Sequence, residues 1–113
     1  MSLSLANVTF DCADPLAVSA FWAGALGKSV DPGASPYFCT IGHPNGSPTF
    51  FFIKVPEAKT VKNRVHLDLS AEDRAAEVAR LVALGATHVA DRDEWGHQWS
   101  VLADIEGNEF CVS

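Results

Sequence analysis

Positive charge is scarce in this chain. Eight lysines and arginines stand against fourteen aspartates and glutamates, a formal net charge of −6 over 113 residues. A surface of that sign repels phosphate, so neither nucleic acid nor an anionic membrane is expected as a partner. No apolar run is long enough to span a bilayer, and Asp14-Pro15 falls where a secretory leader would need its apolar core. Cysteine is sparse too. Cys12, Cys39 and Cys111 form no CxxC pair, which argues against a zinc ribbon. An odd count, placed inside apolar strand-like segments, points to reduced thiols and a cytoplasmic location. There is no low-complexity segment and no long Gly/Ser tether. Met1-Ser2-Leu3 reads as an added start outside the fold.

What is present is apolar material, 48% of the chain, enough for the core of one ordinary domain. It is arranged twice over. Asn7 to Asp11 leads to Asp14, and His66 to Ser70 leads to Asp73. In each half the acid opens a helix-like run that stops at Leu-Gly, first Leu26-Gly27 and then Leu84-Gly85. Each half then carries strand-like segments, a Gly turn (Asn45-Gly46, Glu106-Gly107) and a last apolar run. Units of about 55–60 residues bury a core poorly alone, so two modules sharing one interior are expected.

Leu5 to Cys12 reads as a strand. Asp14-Pro15 is a helix start, with Asp as N-cap and Pro at the first helical position. The helix runs to about Leu26, and Gly27 supplies a left-handed end. Ser19 is its only polar residue. A helix apolar all round is covered by strands on two sides or by a second subunit. Lys28 to Pro32 is a weak strand and Tyr37 to Gly42 a better one. Asn45-Gly46 signals a hairpin into Thr49 to Val55, the clearest strand. Residues 56–62 are polar and read as a linker. Val65 to Leu69 opens the second module. Ser70 to Asp73 resembles a capping box before an amphipathic helix over roughly Ala71 to Leu84. Thr87 to Ala90, Trp99 to Ala103 and Glu109 to Val112 are three further strands. Each unit therefore reads as βαβββ, an α+β class.

Several segments together are familiar. Phe21-Trp22 with Leu26-Gly27, then Asn63 to Leu69 (NRVHLDL), Leu81 to Ala86 (LVALGA) and Asp104 to Phe110 (DIEGNEF) carry the likeness. The chain resembles the glyoxalase/bleomycin-resistance/dioxygenase superfamily, the vicinal oxygen chelate fold, and most closely its small glyoxalase-like domain proteins. Ile105 stands where proline is commoner in the family's ending. The resemblance implies one glyoxalase-like domain over residues 4–113, with module one at about 4–56 and module two at about 63–113. It also implies that the curved sheets of two side-by-side modules form an open cup. Metal-dependent members bind a divalent ion there, through the first and last strands of each module.

The family's first-strand position, seven residues before the capping acid, lands on Asn7 and on His66. Its last-strand position, four residues after the turn glycine, lands on Phe50, with Phe52 as alternative, and on Cys111. Phenylalanine cannot ligate, asparagine is a poor ligand, and one His with one Cys makes two donors where a stable site needs three. The resemblance therefore implies a lost metal site, with no metal and no cofactor, and glyoxalase or extradiol chemistry through an ion is not expected.

Other side chains point to a binding cup. His66 and Asp68 lie two apart on one strand face, either as an acid/base pair or as a polar pair on a wet surface. Asn7, Thr9 and Asp11 share a face in the same way. Phe50 and Phe52 face one side of their strand and Phe51 the other. An aromatic lining suits a flat or apolar ligand. Trp22 and Phe51 read as core, while Trp95 and Trp99 flank a Gly turn at the rim. Arg64 is either a surface residue or a contact for a ligand carboxylate. Cys111 is either inert packing or a nucleophile beside His66. His43, His88 and His97 read as surface histidines. The first expectation is a small-molecule-binding protein, taking a partly aromatic or apolar ligand, cytoplasmic and homodimeric. The alternatives are a metal-independent lyase or isomerase using His66 as proton shuttle, and a non-catalytic dimeric interaction module built on the first helix.

Overall fold

The computed structural model describes residues 2–113; Met1 lies outside the described residues. The chain divides into two compact units, one ending at Ala58 and one running from Lys59 to Ser113. Each is α+β with one helix and one open sheet.

Unit one begins with strand β1 (Asn7–Cys12) and helix α1 (Pro15–Leu26). Asp14 caps the helix by accepting the Ala17 N–H at 3.2 Å, with Pro15 where no N–H is required. Gly27 ends it at φ 65°, in the left-handed region that costs glycine little. Strands β2 (Phe38–Ile41) and β3 (Thr49–Lys54) complete a three-stranded sheet in the order β1-β3-β2. Val18, Phe21 and Trp22 are buried on α1, which packs on β2 and β3.

The expected strand at Lys28 to Pro32 does not form. One backbone bond, Asp31 N–H to Thr40 C=O, joins this stretch to β2. Pro32 has no N–H, and Gly33 turns the chain away at φ 91°. Nor do Asn45-Gly46 make a two-residue hairpin. Seven residues, 42–48, separate β2 from β3.

That longer connection sets a register the sequence does not reveal. β1 pairs in parallel with β3, matching Thr9 with Phe51 and Phe10 with Phe52. Paired residues point to the same side of a sheet. Phe52 therefore lies with Phe10, ring centroids 5.0 Å apart, and Phe10 meets Trp22 of α1 at 5.3 Å. Phe52 is 0% exposed. Phe50 shares that helix-facing side, 6.4 Å from Phe10. Phe51 faces the other way, with Thr9, and is half-buried between Phe38 and His43. The expected roles are thus exchanged: Phe52 is core, Phe50 belongs with it, and Phe51 shares the face of Asn7, Thr9 and Asp11.

Unit two opens on β4 (Leu67–Leu69), shorter than expected, with His66 just before it. Helix α2 (Arg74–Leu84) starts three residues later than expected. Its cap is Asp73, which accepts the Ala76 N–H at 3.0 Å, so Ser70 does not open it. Strands β5 (Thr87–Glu94), β6 (His97–Ala103) and β7 (Glu109–Val112) give a four-stranded sheet in the order β4-β7-β6-β5. β5 runs four residues beyond expectation. Its far end, Arg92-Asp93-Glu94, is charged and exposed, as an edge strand tolerates. Trp95 at φ 55° and Gly96 at φ 74° make the tight two-residue turn into β6. Val78 and Leu81 of α2, with Leu102, Phe110 and Val112, form the core of this unit.

Candidate functional site

The site grows from register in unit two. β4 and β7 are parallel neighbours that pair Asp68 with Cys111. β6 lies on the other side of β7 and pairs Val101 with Cys111. β5 pairs Ala90 with Val101 and Arg92 with Trp99. Asp68, Cys111, Val101, Trp99, Ala90 and Arg92 therefore share one face. This face forms the floor of a concavity of about 790 Å3. Of the residues expected at the site, His66, Asp68, Trp95, Trp99 and Cys111 line it together. Arg64 is exposed and does not. Asn7 and Thr9 lie on β1 of unit one, joined by a 2.8 Å hydrogen bond from Asn7 Nδ2 to Thr9 Oγ1.

One part of the concavity is polar. His66 Nε2 lies 3.4 Å from Asp68 Oδ1, with the side chains 47% and 74% exposed. One ligating atom from each of His66, Asp68 and Cys111 falls within 4.8 Å of the others. Burial pushes the Cys111 thiol above its ordinary pKa, and the Asp68 carboxylate acts in the same direction. A thiol so raised is protonated at neutral pH and is a poor nucleophile. Cys12 and Cys39 are buried, and the described residues contain no disulfide.

The other part is aromatic. Trp95 and Trp99 are stacked with centroids 6.3 Å apart and planes inclined by 14°. His97 stacks on Trp99 at 5.3 Å. His97, expected only as a surface histidine, is exposed but belongs to this wall. Its alternation with Trp95 and Trp99 across a Gly turn was the signal available. Trp95 is 91% exposed and holds a left-handed backbone conformation that a bulky residue rarely adopts.

Two neighbouring carboxylates are committed elsewhere. Glu109 also lines the concavity, but accepts the Asn63 N–H at 3.0 Å and Lys59 Nζ at 3.1 Å. Burial works against its charge, yet these bonds outweigh that and hold its pKa below the ordinary value. On β5, Asp91 Oδ1 accepts from Ser100 Oγ at 2.7 Å and lies 2.8 Å from His88 Nε2. The carboxylate sits between hydroxyl and imidazole, so no histidine base is bonded to a serine nucleophile here.

The fold resemblance implies a divalent ion, and the residues at its usual positions in the two modules do not together make up a full ligand set for one. Asn7 and Thr9 stand seven and five residues before the cap Asp14, as His66 and Asp68 stand before Asp73. Since Thr9 pairs with Phe51 as Asp68 pairs with Cys111, the counterpart of Cys111 is Phe51, not Phe50 or Phe52. Asn7 and Phe51 give module one no strong donor. The expected count for module two was His66 and Cys111; Asp68 is a third donor beside them.

Comparison with known proteins agrees with this architecture. No curated protein sequence matches significantly. Among solved structures, a glyoxalase/bleomycin resistance protein/dioxygenase family enzyme from Burkholderia phytofirmans PsJN is similar at 24% identity and TM-score 0.77, over 97% of both chains. The fosfomycin resistance protein FosX from Listeria monocytogenes, complexed with Mn(II) and a dihydroxypropylphosphonic acid, is 13% identical with TM-score 0.79, over 99% of this chain and 90% of that one. A bleomycin-binding protein from Streptomyces verticillus, complexed with copper(II)-bleomycin, is 13% identical with TM-score 0.66, over 100% and 97%. At such identities these likenesses establish the fold alone. The sequence profile of the Glyoxalase-like domain matches residues 7–113. Over that span, nearly the whole chain, the match decides the family: this protein belongs to the Glyoxalase-like domain family.

Proposed function

We propose that this protein binds a small, partly aromatic molecule in the concavity of unit two, and that the divalent-ion site its family draws from both modules has been lost. The observation that carries the reading is the lining. A polar cluster, His66 with Asp68 and Cys111, shares a concavity of about 790 Å3 with the stacked wall of Trp95, His97 and Trp99. That volume and that mixture suit a ligand of drug-like size whose ring stacks while its polar groups find partners. Trp95 adds support. A bulky residue at positive φ costs on the order of 1–3 kcal/mol, and at 91% exposure burial offers little return. Such strain is expected where a side chain is kept for contact. Small-molecule binding has a parallel in the fold, since one neighbour is a bleomycin-binding protein.

The test is a thermal-shift screen with flat aromatic compounds, followed by affinity measurements on Trp99→Ala and Trp95→Asn. Each variant loses one ring stack worth about 1–1.5 kcal/mol, so affinity falls by roughly tenfold. Asparagine suits the left-handed turn position, so Trp95→Asn retains its stability. Compounds that bind both variants as tightly as the wild type refute the reading. A Mn2+ or Ni2+ ion held by the wild type and lost in Asn7→Ala refutes the loss of the two-module site.

A second reading, a metal-independent lyase or isomerase, has one observation in its favour. The His66 imidazole is half-exposed toward the concavity with a carboxylate 3.4 Å away, the setting of a proton shuttle. It predicts turnover that His66→Ala abolishes without loss of fold.

A further inference from the structure

We infer that His66, Asp68 and Cys111 form a three-donor site for a thiophilic divalent ion, held entirely by unit two. This ligand set differs from the one the fold resemblance implies, which takes two strands from each module. Asp68, two residues along from the first-strand position, takes the place of the donors that Asn7 and Phe51 lack.

The geometry carries the inference. A tetrahedral ion with bonds of about 2.0–2.3 Å sets its ligand atoms roughly 3.3–3.8 Å apart. His66 Nε2 and Asp68 Oδ1 are already 3.4 Å apart, and all three donors lie within 4.8 Å. Closing the set takes side-chain shifts of roughly an ångström to reach those bond lengths. His66 and Asp68 are exposed enough to make them. The third donor is the fixed one. Cys111 lies on β7, bonded on one side to β4 and on the other to β6. Strand pairing aims Cys111 and Asp68 to the same face, and the two-residue period adds His66.

Donor chemistry selects the ion. One sulfur, one imidazole nitrogen and one carboxylate oxygen suit Zn2+ or Co2+, whereas an all-oxygen set would suit Mg2+, Ca2+ or Mn2+. Binding exchanges the thiol proton for the ion and releases that proton to solvent. Three protein ligands would leave a fourth position for water or an exogenous ligand. The three donors line the same concavity as Trp99. The inference stands apart from the small-molecule reading, because its test uses the ion alone.

The test is titration of the metal-free protein with Co2+ and with Zn2+. The expected result is one equivalent bound, with the visible spectrum of four-coordinate cobalt and a sulfur-to-cobalt charge-transfer band. Cys111→Ser removes the band. Asp68→Asn, at a surface position that leaves the fold intact, weakens binding by at least about tenfold, the lower bound for partners one shell further out. Asn7→Ala changes nothing, and Mn2+ binds more weakly than Zn2+. Cys12 and Cys39 are 2% and 1% exposed and cannot supply the band without unfolding. Absence of the charge-transfer band, unchanged affinity in Asp68→Asn, or loss of the ion in His88→Ala in place of His66→Ala overturns the inference.

Discussion

Exchanging the roles of Phe51 and Phe52 decides which residue stands opposite Thr9, and it can be tested by stability alone. Phe52 is 0% exposed on β3, the middle strand of its sheet. It is stacked on Phe10 and paired across β2 with Cys39, itself 1% exposed. Truncating such a ring removes its transfer free energy and leaves a cavity, together about 3–5 kcal/mol. Against a total of about 5–15 kcal/mol for a domain, that is about a fifth or more of the stability. Phe51 is half-buried on the opposite face, where its ring meets Phe38 and His43 edge-on at 5.2 and 5.5 Å. Phe51→Ala therefore costs about 1–1.5 kcal/mol. Urea unfolding followed by far-UV circular dichroism separates the two. With a common slope of about 1.5 kcal/mol per molar, Phe52→Ala lowers the midpoint by roughly 2 M or more and Phe51→Ala by about 1 M or less. Equal losses, or a larger loss at Phe51, would mean the strand has slipped by one residue. Phe52 would then face Thr9, and the correspondence of Phe51 with Cys111 would fail.

Two further outcomes follow from hydrogen bonds. Asp73→Ala removes the acceptor of the Ala76 N–H and costs about 1 kcal/mol in thermal or urea unfolding, while Ser70→Ala is neutral; the reverse order would restore Ser70 as the cap. The Asp31 carboxyl is held below its ordinary value first by the Thr40 hydroxyl at 2.7 Å, then by the His43 N–H at 2.8 Å, with the Gly42 N–H adding at 3.2 Å against a small burial cost. A lowered carboxylate contributes stability that is complete above the unfolded value and is lost as pH falls through the folded one. Asp31→Asn thus destabilises by about 1–2 kcal/mol at neutral pH, discounted for partial exposure, and its difference from wild type closes below about pH 4. A gap that stays constant down to about pH 2 would place the contribution outside the charge.

Legibility differed between the halves for physical reasons. Module two was readable because its signals are local. Asp73, the amphipathic run to Leu84 and Gly85 define a helix, and the period of two puts His66 and Asp68 on one face. Module one hid its register because the residues between β2 and β3 form no short turn of fixed type. A slip of one residue moves every side chain to the other face, so an uncertain loop exchanged Phe50 and Phe52 with Phe51. The far end of β5 was invisible for another reason. Arg92-Asp93-Glu94 has no apolar alternation, and only pairing with Gln98 and Trp99 on β6 makes it a strand. The wall of Trp95, His97 and Trp99 depends on that hairpin, and so did the place of His97.

The two halves place the same scaffold positions in the same local geometry and fill them with different chemistry. Seven residues before the helix cap stands Asn7 in one and His66 in the other; five before stands Thr9 or Asp68. The parallel partner of the latter is Phe51 or Cys111. In unit one this trio offers an amide, a hydroxyl and a ring, and the first two already bond to each other at 2.8 Å. In unit two it offers nitrogen, oxygen and sulfur donors around one point. Neutral amide and hydroxyl oxygens are weak ligands for a borderline ion, whereas imidazole, carboxylate and thiolate are strong ones. Ion binding by this chain therefore turns on unit two's own side chains. This is why Asp68, which a tally of usual ligand positions passes over, changes the count from two donors to three.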